Sequence, residues 1–438
     1  MKAAAFFSKT GRFLFLVAGS LAISICLVTS LWAAEDKQRK STTRETIAMS
    51  ERVYKKLKEL QDLIEQKSYT VVDSKLANIK KTPNLSNYEL AQIHNISGYF
   101  FYVKGRYQSA IEDYEQLLQK KPLPDGLVQS TLMTISQLYF VTEQYAKALA
   151  SLQQLAALVT EPGVDILWLL GQAYYQLQRF DEAIVPIKMG IDIYRRQGNI
   201  PKENWLLLLR AIYHEKNDYR KVLEVLGELS LHYPKNQYFM ALAGIYSELG
   251  ETKNQLVIME SLYETGYLSK SADIINLASL YLIHDIPYKA AIILERETVE
   301  GNIESNVRNL SLLTQAWQQA REYEKAIPHL EMAAKKSKDG ELYVRLAQSY
   351  IHLTQWEKAT LALRKGTKKG GIDRTDNVNI MLGTALFNLN RLEQATTTFE
   401  LAKQDKRSSK TAGEWLVFIE AEKKRQQELA QSMQDRSG

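Results

Sequence analysis

The residues able to do chemistry are few and poorly spaced for it. The six histidines are His94, His214, His232, His284, His329 and His352. No two stand in the HxxxH or HExxH spacing that puts two imidazoles on one helix face for zinc. The only cysteine, Cys26, lies in an apolar N-terminal stretch, so the rest of the chain offers no thiol nucleophile, thiolate ligand or disulfide. GxSxG, GxxxxGK[ST] and GxGxxG do not occur, which removes the nucleophile elbow, the P-loop and the dinucleotide turn. Acidic pairs such as Asp181-Glu182 stand where second helices should start and complement the helix dipole. The expectation is a non-enzyme with no cofactor and no metal.

Recognition remains, and it needs elements to present it. With 45% hydrophobic and 24% charged residues, the 438-residue chain has the composition of a folded protein. Its formal charge is +6, or +3 without Lys2, Lys9 and Arg12, too mild by itself to argue for nucleic acid. One stretch looks like a membrane segment: "WLLLL", Trp205 to Leu209, but charged residues follow within three turns. It aligns instead with "DILWLLGQAYYQLQRFDEAIVPI" (165–187), "IHNISGYFFYVKGRYQSAIEDY" (93–114), "LYVRLAQSYIHLTQWEKATLAL" (342–363) and "NIMLGTALFNLNRLEQATTTF" (379–399). In each, a small residue is followed by an aromatic or leucine, then a second aromatic or leucine, then an alanine.

This pattern resembles the tetratricopeptide repeat, a helix–turn–helix unit of about 34 residues. Its small-residue slot falls at Leu60, Gly98, Ser136, Gly171, Arg210, Ala243, Ala278, Thr314, Ala347 and Gly383, at spacings of 38, 38, 35, 39, 33, 35, 36, 33 and 36. The resemblance implies an all-α, right-handed superhelical solenoid of about ten repeats over residues 47–407. A capping helix and frayed tail over 408–438 should close it, with the helix spanning Thr411 to Gln431 and fraying from Ser432. Trp415, Phe418 and Ile419 should face inward, and Glu420, Glu422, Lys423, Lys424 and Arg425 should face solvent. Alanines at 110, 148, 183, 290, 326, 359 and 395 should mark close helix crossings where only a methyl fits. In register, Leu206 and Leu209 point inward, while Leu207 and Leu208 point to the inner surface or a neighbouring unit.

A solenoid of this kind presents a concave wall of first helices to a partner. Register places Tyr99, Tyr102, Gln137, Phe140, Trp168, Gln172, Tyr175, His214, Gln315 and Gln348 on it, an aromatic and amide lining suited to a protein or peptide partner. The positions at which related domains hold Lys and Asn to grip a C-terminal carboxylate carry Met133, Trp168, Gln137 and Gln172, so that clamp is absent. Basic pairs at Lys80-Lys81, Lys120-Lys121, Arg195-Arg196, Lys335-Lys336, Lys368-Lys369 and Lys406-Arg407 recur near the turn leading out of a unit. Helix C-termini attract cations in any protein. The sharper alternative is contact with anionic headgroups at the inner-membrane surface.

The N-terminus carries an export signal: Lys2, Lys9 and Arg12, an uncharged stretch over 13–34, then Glu35, Asp36 and Lys37. Residues 1–34 are a signal peptide or an uncleaved anchor, and 35–46 a polar linker. Export implies the periplasm, with tethering to the inner membrane where the segment is retained. Finally, "NYELAQIHNISGYFFYVKGRYQSAIEDYEQLL", "TLMTISQLYFVTEQYAKAL", "PKENWLLLLRAIYHE" and "PYKAAIILE" resemble exported tetratricopeptide proteins encoded beside TonB, ExbB and ExbD in Gram-negative bacteria. That resemblance implies an accessory of TonB-type energy transduction in outer-membrane transport, with TonB, ExbB or ExbD components as partners. The alternative is a scaffold for cell-envelope polysaccharide or peptidoglycan machinery.

Overall fold

The computed structural model describes residues 49–437, so the export segment and polar linker lie outside the described residues. Every element among the described residues is an α-helix. The first pairs are Glu51–Glu65 with Tyr69–Lys80 (α1, α2), Asn87–Val103 with Tyr107–Leu118 (α3, α4), and Asp125–Val141 with Tyr145–Ala157 (α5, α6). Then come Val164–Gln176 with Phe180–Arg196 (α7, α8), Glu203–Glu215 with Tyr219–His232 (α9, α10), and Asn236–Glu248 with Thr252–Glu264 (α11, α12). Ser271–Ile283 with Pro287–Val299 (α13, α14) and Val307–Gln319 with Tyr323–Lys336 (α15, α16) follow. Glu341–His352 with Trp356–Lys369 (α17, α18), Thr375–Asn388 with Leu392–Lys403 (α19, α20), and the long Ser409–Ser437 (α21) complete the order. The chain divides into two compact units, one ending at Lys221 and one beginning at Val222. Within the first, α1 to α9 each pack on the next helix; within the second, α11 to α21 do the same.

The turn inside each pair has one local cause. A residue with positive φ ends the first helix at Lys67, Gly105, Glu143, Gln178, Asn217, Gly250, Asp285, Arg321, Thr354 and Asn390. Each stands seven residues after the small-residue slot, so the spacings read from sequence recur unchanged. The following N–H reaches back five residues, as from Arg106 to Phe101 (2.8 Å), Arg179 to Tyr174 (2.9 Å) and Gln355 to Tyr350 (2.8 Å). This Schellman closure satisfies carbonyls that a helix end would otherwise leave bare.

The slot itself is filled by its own pair's second helix. A methyl added at Gly98 would stand 2.9 Å from Cζ of Tyr114, and one at Gly383 would stand 2.7 Å from Cζ of Phe399. Ile187 fills the corresponding space at Gly171. In each case the intruding residue follows by four the conserved-spacing alanine (Ala110, Ala183, Ala395), and all seven such alanines are fully buried. An alanine brings the second helix close enough for its next inward residue to enter the slot.

Neighbouring pairs are joined by a second recurring device. Tyr139, Tyr281 and Tyr350 donate their hydroxyls to Glu115 (2.6 Å), Glu260 (2.6 Å) and Glu331 (3.0 Å) on the preceding second helix. Lys147, Lys289 and Lys358 then lie over the three rings at 5.4, 5.7 and 5.7 Å. All three tyrosines stand three residues after the slot and all three lysines eleven after it. Burial, then the bond to Glu331, pushes Tyr350 up to about 12. Trp317 holds the same register with Lys325 over its ring at 4.7 Å, and its indole N–H has no hydrogen-bond partner among the described residues.

The leucine run is a core segment. Leu206 and Leu209 are buried as the register requires, and Leu208 is buried equally, whereas Leu207 is only half-buried. Trp205 before them fills the space over Gly190. At the far end, α21 packs on α20 and α19. Trp415 stacks on Phe399 with centroids 5.3 Å apart, and Ile419 is buried. Phe418 touches Phe387 and Trp415 yet stays more than half exposed. Glu422 and Lys423, expected in solvent, are half-buried. Lys423 lays its stem on α20 and ends 3.0 Å from Glu393. The helix continues through Ser437, past the expected end at Gln431.

Candidate functional site

The face built by the first helices carries the sequence-predicted residues, in each unit separately. In the first unit, Tyr99 and Tyr102 stand on α3, Gln137 and Phe140 on α5, Trp168, Gln172 and Tyr175 on α7, and His214 on α9. All are half-buried except His214, which is exposed. The rings four residues after the slot share one arrangement. Tyr102 lies 6.0 Å from Tyr107, Phe140 5.8 Å from Tyr145, Tyr175 5.9 Å from Phe180, and His214 6.0 Å from Tyr219. Each ring therefore covers its own turn with one side and leaves part of its surface open. Trp168 is different: its ring packs 5.2 Å from Trp205 on α9, so it joins two pairs together. Burial raises the phenols of Tyr99, Tyr102 and Tyr175 above their ordinary value.

The amides one residue after the slot are more telling. Gln137 and Gln172 in the first unit, and Gln315 and Gln348 in the second, make no hydrogen bond with the described residues and are not sealed from water. Each offers two donors and an acceptor, the complement of an extended backbone. In the second unit Gln315 and Gln348 converge on a cleft of about 230 Å³, completed by Gln318, Gln319, Tyr323 and His352. Tyr323 and His352 stack face to face, with centroids 4.3 Å apart and planes 6° apart. The sequence reading had not singled out Gln319, Tyr323 or His352 for the surface, although His352 follows its slot by five residues.

A second cleft, about 490 Å³, opens in the first unit beside Lys80, Phe101, Arg106 and Asp113. Asp113 is buried and receives Ser97 Oγ (2.5 Å) and Lys80 Nζ (2.9 Å), with His94 Nδ1 at 2.7 Å. The set is a serine, a histidine and an aspartate, but the serine proton points at the carboxylate rather than at the imidazole. His94 and Ser97 both lie on the Asp113 carboxylate instead of on each other, so the order of a catalytic triad is not formed, and the cluster ties α2 to α3 and α4. Burial pushes Asp113 up, but hydrogen bonds from His94, Ser97 and Lys80 outweigh it and hold the carboxyl below its ordinary value. Among the described residues, no group of three or more His, Asp or Glu side chains is placed to hold a metal ion.

Several basic pairs are engaged internally. Besides Lys80, Lys336 donates to the Ser305 carbonyl (2.7 Å), Lys369 to the Ala334 carbonyl (2.7 Å), and Arg407 to Asp405 (2.8 Å). These cations close the end of a preceding pair or their own turn. No helix among the described residues is long and apolar enough to cross a membrane.

The tetratricopeptide repeat family matches residues 134–187. No curated protein matches the chain. A tetratricopeptide repeat protein from Parabacteroides merdae overlaps 61% of this chain and 99% of its own, at 16% identity and TM-score 0.36. The Naa15/Naa10 complex bound to HypK-THB overlaps 84% of this chain and 66% of its own, at 12% identity and TM-score 0.42. The TPR2AB domain of yeast Sti1, in complex with pHSP90, overlaps 59% and 99%, at 14% identity and TM-score 0.34. The stretch of this chain from within α5 to within α8, with its slot at Gly171 and its alanine at Ala183, is similar to the tetratricopeptide repeat.

Proposed function

We propose that the chain is a non-catalytic protein-interaction scaffold of the periplasm, an accessory of TonB-type energy transduction in outer-membrane transport. The observation that carries the scaffold reading is the set of unengaged amides on the first helices, Gln137 and Gln172 among half-buried rings in the first unit and Gln315 and Gln348 beside a cleft in the second. An extended partner segment would exchange backbone hydrogen bonds with the amides and bury side chains against the rings. Support for the location and the partners comes from the N-terminal signal and from the resemblance of 87–118 and 201–215 to exported proteins encoded beside TonB components.

Crosslinking in intact cells with a C-terminally tagged chain tests this. The variant beside it is Gln172→Ala with Tyr175→Ala, which spares the Trp168–Trp205 contact. Recovery of TonB, ExbB or ExbD components, reduced in the variant, is expected. Recovery of polymer-synthesis proteins moves the assignment to envelope polysaccharide or peptidoglycan machinery, and equal recovery from both forms removes the first-unit face from the site.

A further inference from the structure

Arg345 is a cation with no anionic hydrogen-bond partner among the described residues. It stands two residues before the slot of its pair, where the other nine hold Lys58, Ile96, Thr134, Leu169, Leu208, Ala241, Asn276, Leu312 and Met381. Lys58 is exposed, whereas Arg345 is half-buried. The Gln318 amide fixes it from the neighbouring first helix. Arg345 Nε and Nη2 donate to Gln318 Oε1 at 3.2 and 2.9 Å. Gln318 Nε2 donates in turn to the Arg345 carbonyl (3.1 Å) and to Ser349 Oγ (3.0 Å).

This grip uses one edge of the guanidinium and leaves the other. Nη1 makes no hydrogen bond with the described residues and is not sealed from water. With the second proton of Nη2 it forms the flat end that accepts a carboxylate through two parallel bonds. Glu341, one turn earlier on the same helix, is occupied by the Asp373 backbone N–H at 2.8 Å. Burial pulls the Arg345 guanidinium below its ordinary value. A partly desolvated cation with no counter-charge is unfavourable, and a ligand carboxylate removes that cost. Gln348 and His352 lie one and two turns further along α17, and Gln318, which holds Arg345, itself lines the cleft, so the guanidinium stands beside it.

We propose that Arg345, positioned by Gln318, recognises an acidic side chain, a glutamate or aspartate in an extended partner segment that lies across Gln315 and Gln348. The inference rests on the scaffold reading and adds the chemistry of its partner. It is tested on the full chain with an array of random 12-residue peptides, acetylated and amidated at their ends, with a parallel set bearing a free C-terminal carboxylate. Wild type is compared with Arg345→Gln, Arg345→Lys and Gln318→Leu, and melting of each variant reports folding.

Capped peptides retained by wild type are expected to be enriched in Glu and Asp. Retention should fall at least about ten-fold in Arg345→Gln and by less in Arg345→Lys, which keeps the charge but not the fork. Gln318→Leu should weaken binding with Arg345 still present. Retention independent of acidic content, or unchanged in Arg345→Gln, overturns the carboxylate site and leaves the scaffold reading standing. Binding confined to the free-carboxylate set replaces the acidic side chain with a chain terminus. If no peptide is retained by wild type, both readings fall.

Discussion

Phe399 lies so close to Gly383 that a methyl on the glycine would stand 2.7 Å from its Cζ, and Trp415, stacked on that ring, limits its freedom to move. Gly383→Ala should therefore destabilise the second unit by about 1–3 kcal/mol through overpacking. Gly244, mid-helix in α11, has nothing within 4 Å of an added methyl, so Gly244→Ala should stabilise by about 0.5–1 kcal/mol from helix propensity alone. Urea titration of the two variants should move the midpoint in opposite directions. Equal shifts would mean that the slot is not tightly filled.

Thr354 ends α17 with φ of 56°, a left-handed conformation that a β-branched residue adopts only under constraint. Thr354→Gly relieves the strain, and the added freedom of the unfolded chain takes back part of the gain. A net stabilisation of roughly 0.5–1 kcal/mol is expected. Gly250→Thr, at the equivalent turn of another pair, should cost about 1–2 kcal/mol. Loss of stability in Thr354→Gly would show that its side chain does more than tolerate the turn.

Tyr281→Phe removes one inter-pair hydrogen bond while keeping the ring under Lys289. Glu260 retains Lys289 at 2.6 Å, so no buried charge is stranded. The cost should be near 0.5–1.5 kcal/mol, read as a lower thermal midpoint. Tyr281→Leu should cost more, because it also loses the ring beneath the lysine.

Asp113 makes stability depend on acidity. Its folded carboxyl titrates below its ordinary value, so the unfolded chain binds more protons as pH falls. Its contribution is complete above the ordinary aspartate value of about 3.9 and is lost as pH drops through the lower folded value. Urea midpoints measured from pH 6 down to pH 3 should fall for wild type. Asp113→Asn, less stable at pH 6, should show a shallower fall over that range, and parallel curves would remove Asp113 from the effect.

The repeat register was legible in the sequence because it depends on steric facts that residue types declare. A small residue, an alanine twelve residues on and an aromatic or aliphatic residue four beyond it describe a helix crossing wherever they occur. Large residues in the slot, Leu60 and Arg210, did not disturb the interval, since the turn seven residues later is closed by backbone hydrogen bonds. Five of the ten turn residues, Lys67, Glu143, Gln178, Arg321 and Thr354, give no warning of positive φ in their side chains, because closure of the pair imposes it on whatever residue falls there.

What only the tertiary structure decided was which polar and aromatic groups remain available. Register put Trp168 and Gln172 on the same face, yet Trp168 packs against Trp205 while the Gln172 amide stays unengaged. It also gave no sign that Gln318 would be occupied, or that the partner holding it, Arg345, would lack a carboxylate. Helical periodicity specifies the direction in which a side chain leaves its helix. Availability depends on the neighbouring pair, which for Gln318 and Arg345 lies 27 residues away in sequence and only a side chain's length away in space.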